Sequence, residues 1–123
     1  MKSDIKELWV KALTDGSYEQ GTNALKVDNQ FCCLGVLCDL HAKATGNDWK
    51  VIDGNYFYLD NEELLPEKVM EWAGLNSQCP QVETEDQDLE TDDAWYKSIE
   101  TLADLNDSGS SFEEIAQLIK EQL

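Results

Sequence analysis

Five side chains have the chemistry to hold a soft metal or to attack an electrophile: Cys32, Cys33, Cys38, Cys79 and His41. Thiolate and imidazole are good zinc ligands, but zinc sites favour closely spaced pairs such as C-x-x-C, and no such pair occurs. On a helix, Cys38 and His41 share a face at i, i+3, whereas Cys33 falls on another. Cys79 would have to be the distant fourth ligand. A Cys–His nucleophile needs an electropositive setting to form its thiolate, and Asp39 stands beside Cys38. Free cysteine is also a common buried residue that packs as a small hydrophobe. Core packing is therefore the first expectation, with a metal site and a reactive thiol as alternatives.

Calcium chemistry fits less well. Asp104, Asn106, Ser108 and Gly109 follow the first half of a calcium loop, but its twelfth position, normally Glu, is Ile115. The stretch from Asp86 to Lys97 has Thr91 where the loop glycine belongs. Carboxylates for acid–base catalysis are so numerous that no pair stands out. The expectation is no metal and no cofactor.

The acids themselves are the strongest signal. The chain has 26 Asp and Glu against nine basic residues, all Lys, for a net charge of −17. Residues 61–123 carry −14 of this and residues 1–60 only −3. Direct nucleic-acid binding requires a cationic footprint, usually with Arg, and anionic membranes repel such a chain. Seven of the eleven residues from 83 to 93 are acidic: Glu83, Glu85, Asp86, Asp88, Glu90, Asp92 and Asp93. A run of this kind reads either as a solvated loop or as a surface for a basic partner, steered by charge. Trp95 and Tyr96 follow directly and can act as aromatic anchors. A second candidate site is a small-molecule pocket made of Tyr18, Gln20, Cys33, His41, Tyr56 and Tyr58.

These residues need elements to hold them. A length of 123 residues with 41% apolar content suits one domain with a core of its own. Ile5, Leu8, Trp9, Ala12 and Leu13 give an amphipathic helix over 4–14, with Ser3 as cap. Ala24, Leu25 and Val27 suggest a short strand. The nearly continuous apolar stretch 31–44 predicts a buried helix. Gly35 within it weakens the helix relative to Ala, which close approach of another backbone would explain. Asp53-Gly54 between aromatic and β-branched runs predicts a hairpin with strands near 49–52 and 56–59. Pro66 opens a third helix, which Gly74 ends. Residues 75–93 read as a loop, and Trp95, Ile99, Leu102 and Leu105 as a helix over 94–105. Ser110 and Glu113 form a capping box for a last helix. No membrane-length apolar run and no signal-peptide pattern occurs, so a reducing cytoplasm is the expected location, with free thiols.

Several of these stretches resemble a group of small proteins met in tailed-phage and prophage genomes. They are residues 8–20, the block Phe31–Asp39 reading FCCLGVLCD, residues 65–75 and residues 102–116. The likeness implies a phage-type accessory product and transfers no catalytic residue. By analogy with small acidic phage proteins, it implies binding to a host enzyme at a nucleic-acid site.

The expected fold is α+β in a single domain over 1–123, with four or five helices on a small antiparallel sheet or hairpin and an acidic loop near 76–93. The expected function is non-enzymatic binding to a basic site on a host protein, as a nucleic-acid mimic or host-defence antagonist. The alternative is a small-molecule binder or small enzyme, with its pocket between the hairpin and the Cys-rich helix.

Overall fold

The computed structural model describes residues 1–87 and 95–123, with side chains described up to residue 84 and from residue 99. In chain order the elements are α1 (Ser3–Thr14), β1 (Glu19–Gln20), β2 (Lys26–Val27), β3 (Gln30–Phe31), α2 (Cys33–Thr45), β4 (Lys50–Ile52), β5 (Asn55–Phe57), α3 (Glu67–Ala73), β6 (Gln81–Gln87), β7 (Trp95–Thr101), α4 (Leu102–Asp107) and α5 (Phe112–Gln122). The fold is α+β.

The apolar run around Cys33–Cys38 forms the central helix, as its composition predicts. Cys33 through Cys38 are all buried, and α1, α3, α4 and β3 surround them. The helix starts two residues later than the apolar pattern suggests. Phe31 is extended because β3 pairs parallel to β1 and antiparallel to β2. Cys32 then caps α2, its Sγ accepting from the Gly35 N–H at 3.4 Å. The expected close approach at Gly35 is present. A Cβ there would lie 1.7 Å from the Leu25 carbonyl oxygen, which also accepts the Cys32 N–H at 3.2 Å.

The hairpin forms around Asp53 and Gly54, both with positive φ (53° and 83°), as a tight primed turn requires. Its register is Lys50↔Phe57, Val51↔Tyr56 and Ile52↔Asn55, so the strands are shorter than the aromatic run implies. Two cap assignments change. Ser3 is the first residue of α1, and Lys2 precedes it without a side-chain cap. The start is held instead by the Lys2 N–H donating to Ala73 O at 2.9 Å. At α5 the cap is Ser111, accepting from the Glu114 N–H at 3.2 Å. Ser110 is displaced because its own N–H closes α4 on Leu105 O at 3.0 Å.

The larger correction lies between residues 75 and 105. Residues 81–87 are a strand, not a loop, and 95–101 are its antiparallel partner, not a helix. The 4–3–3 spacing of Trp95, Ile99, Leu102 and Leu105 imitates a helix, but Leu102 and Leu105 are buried within the short α4, after the strand has ended. Ile99 is 68% exposed. Among the described residues the register pairs Glu83 with Ile99, Glu85 with Lys97 and Asp86 with Tyr96, so no two acids are directly paired across residues 81–87 and 95–101.

No helix among the described residues is long and apolar enough to cross a membrane.

Candidate functional site

The six residues of the sequence-derived pocket fall into two networks. Tyr18, Tyr56, Tyr58 and His41 belong to an aromatic chain completed by Phe31, Trp49 and Trp72. Tyr18 meets Phe31 edge-on at 5.0 Å, Phe31 meets Trp49 at 6.1 Å, Trp49 meets Tyr58 at 5.1 Å, and His41 lies against Tyr58 and Trp72 at 5.7 and 5.2 Å. Tyr56 joins through a cation. The Lys26 ammonium lies 5.0 Å from its ring centre, 5.2 Å from Phe31 and 5.6 Å from Trp49. Such stacking ties β2 to the β4–β5 hairpin by cation–π attraction.

Asp39 organises the outer end of this chain. Its carboxylate accepts the Tyr18 hydroxyl at 2.6 Å and the Trp49 indole N–H at 3.1 Å, and it pairs with Lys43 at 3.3 Å. Burial, followed by the bond to Asp39, raises the Tyr18 pKa, so this phenol stays protonated as a donor. The i, i+4 spacing of Asp39 and Lys43 was the visible signal for this cluster. Its link to Tyr18 and Trp49 needed the fold.

At the inner end His41 Nδ1 and the Tyr58 hydroxyl are 2.5 Å apart, and both residues are buried. Burial, helped by the nearby Lys68 charge, lowers the His41 pKa, and burial raises that of Tyr58. Both groups are therefore neutral near pH 7, and the hydrogen bond between them is donated by the phenol when Nδ1 is bare and by the imidazole when Nδ1 carries the proton. The stability consequence has a definite sign. Unfolded His41 protonates as pH falls through 6.5, the folded side chain resists, and stability is lost from about 6.5 down to the lowered folded value. The slope in that window is at most about 1.4 kcal/mol per pH unit for one proton. His41→Gln, which cannot titrate, is expected to show a shallower decline between pH 7.5 and 5 in urea unfolding. An identical slope in both proteins would refute a buried neutral imidazole.

Gln20 and Cys33 belong to a different network, centred on Asn106. This side chain is 1% exposed. Its Oδ1 accepts from Gln20 Nε2 at 3.0 Å and from the Cys33 N–H at 3.2 Å, and its Nδ2 donates to Gly21 O at 2.8 Å. Trp9 Nε1 donates to the Cys33 carbonyl at 3.0 Å. Sequence reading placed Asn106 in a calcium-like pattern and missed this role. A polar residue between Leu102, Leu105 and Phe112 was the available clue.

Cysteine chemistry is held back by the same core. Burial pushes the Cys32 thiol up to about 11 and raises those of Cys33 and Cys38 well above the ordinary range. Such thiols are protonated near pH 7 and poor nucleophiles. Among the described residues, no three His, Cys, Asp or Glu side chains come together in a group able to hold a metal.

Of the acidic candidates, Glu83 is exposed on β6. Its main chain is clamped to α5: Glu83 N–H donates to Gln122 Oε1, and Gln122 Nε2 donates to Glu83 O, each at 2.7 Å. Val82 beside it is buried, and the Leu102 N–H reaches Pro80 O at 2.9 Å. Glu85 and Asp86 lie on the β6 backbone, but their side chains, like those of Trp95 and Tyr96, are outside the described set. Asp88, Glu90, Asp92 and Asp93 lie outside the described residues altogether.

No curated protein and no solved structure matches the chain. One family model does, over residues 1–123, and the chain belongs to that family, described as "Domain of unknown function (DUF8296)".

Proposed function

We propose that the chain is a non-enzymatic interaction protein that binds a basic site on a partner protein through the acidic β6–β7 segment. A nucleic-acid-binding protein of a phage host is the expected class of partner. One observation carries this reading. The acidic run begins on a two-stranded ribbon of seven residues per strand, clamped to α5 at its base. Its strands pair with each other and with no other described strand. A ribbon with no third described strand and an exposed Ile99 are features that interfaces use, and the excess of carboxylates would speed encounter with a cationic surface. The likeness of the FCCLGVLCD block to phage proteins supplies the context.

The test is a charge-neutral variant, Glu85→Gln, Asp86→Asn, Asp88→Asn and Glu90→Gln together. Binding to the partner captured from nuclease-treated host lysate is expected to weaken by about tenfold or more, equivalent to about 1.4 kcal/mol. The salt dependence should flatten and the melting temperature should hold. Unchanged affinity and unchanged salt slope would overturn the proposal.

A further inference from the structure

Helix α1 uses two faces. Ile5, Trp9, Ala12 and Leu13 enter the core. The neighbouring face, at Ser3, Lys6, Val10, Lys11 and Thr14, lines an open groove with Lys120 of α5, about 470 Å³ in volume. That volume lies within the range of small-molecule sites. The groove follows α1 for roughly 16 Å at 1.5 Å per residue. Three of the nine lysines meet here, in a chain of net charge −17. None of the three forms an ion pair among the described residues. Among the described residues Glu7 is the only carboxylate on the lining, against three lysines, so the lining itself is net cationic.

We propose that this groove binds a linear amphiphile with a single anionic head, a medium-chain carboxylate. Val10 and the methylene stems of the lysines offer an apolar floor to an alkyl chain, while flexible ammonium groups converge on the head. Glu7 would repel a second anionic group, which favours one head over a polyanion. A second copy of the chain, or any strongly acidic protein, would bring its whole negative field against that of this molecule. A small ligand brings one charge. The site is separate from the β6–β7 ribbon, so its failure and that of the partner-binding proposal are independent.

The experiment is a two-dimensional NMR titration of the full chain with decanoate, kept below micelle formation, and in parallel with uncharged decyl glucoside. Saturable shifts are expected at Lys6, Val10, Lys11 and Lys120, with decanoate binding about tenfold or more tighter than the glucoside. The triple variant Lys6→Gln, Lys11→Gln and Lys120→Gln should lose about that factor at unchanged melting temperature. The proposal is overturned by equal binding of the two amphiphiles. It is overturned equally by the absence of saturation at about 1 mM, where binding is worth only about −4 kcal/mol. Shifts that grow with protein concentration alone would place a second copy in the groove and also overturn it.

Discussion

Gly35→Ala should unfold the protein or remove most of its stability. The added methyl would lie 1.7 Å from Leu25 O and 2.6 Å from its carbonyl carbon. Both are backbone atoms, and Leu25 is fixed from two sides: its N–H donates to Glu62 O at 2.8 Å, and its carbonyl accepts from Cys32. No flexible side chain can give way. Overpacking in cores costs about 1–3 kcal/mol where neighbours can adjust. Here the loss should exceed about 3 kcal/mol, against a typical total of about 5–15. Thermal unfolding followed by circular dichroism measures it. In an unconstrained helix the same substitution would stabilise by about 1 kcal/mol, so a melting temperature at or above wild type would disprove the close approach.

Asn106→Leu ranks second. It keeps the branch point and the number of side-chain heavy atoms and removes both halves of the amide. The Cys33 N–H and the Gly21 carbonyl lose partners in a buried setting, and Gln20 Nε2 keeps only the Ser110 carbonyl, at 2.7 Å. Each stranded buried group costs about 1–3 kcal/mol, so a loss of about 3–5 kcal/mol is expected in urea unfolding. Asn106→Asp separates geometry from chemistry. It retains an acceptor for Cys33 and Gln20 but, when ionised, offers Gly21 O no donor and places a charge inside the core. It should therefore be at least as destabilising near pH 7 and recover in part as pH falls. A loss under about 1 kcal/mol in both variants would show that water or a shifted backbone satisfies these groups.

The two sites differ in how far residue type alone reveals them. Gly35 was legible: a glycine inside an apolar helix costs stability unless something needs the space, and the sequence around it offered nothing else to explain it. The Asp53-Gly54 turn and the α3 boundaries at Pro66 and Gly74 were legible for the same kind of reason, since each depends on one residue's backbone preference. Asn106 was not, because its partners are 73–86 residues away in sequence. Its spacing to Asp104 and Ser108 copied a local motif by coincidence. The β6–β7 ribbon was misread for a related reason. Its strands are specified by pairing across the ribbon, where Lys97 and Ile99 oppose acids, and pairing of that kind leaves no trace within one strand. The aromatic chain was half legible. Tyr18, Tyr56, Tyr58 and His41 were singled out by type, while Lys26, Phe31 and Trp49, which join Tyr18 and Tyr56 to the rest, lie on separate elements.

The dependence of α2 on Asn106 also sets an order for biosynthesis. The first turn of α2 is complete when residue 36 is made, but its Cys33 N–H and the Gly21 carbonyl wait for a side chain about 70 residues later. At about 5–20 residues per second on the ribosome, that delay lasts roughly 3–14 s. Throughout it the most apolar stretch of the chain lacks α4, which packs against it. The domain therefore cannot settle its centre as it emerges. Its centre closes only once residue 106 is available, and during that interval the nascent chain presents a hydrophobic helix of the kind that chaperones hold.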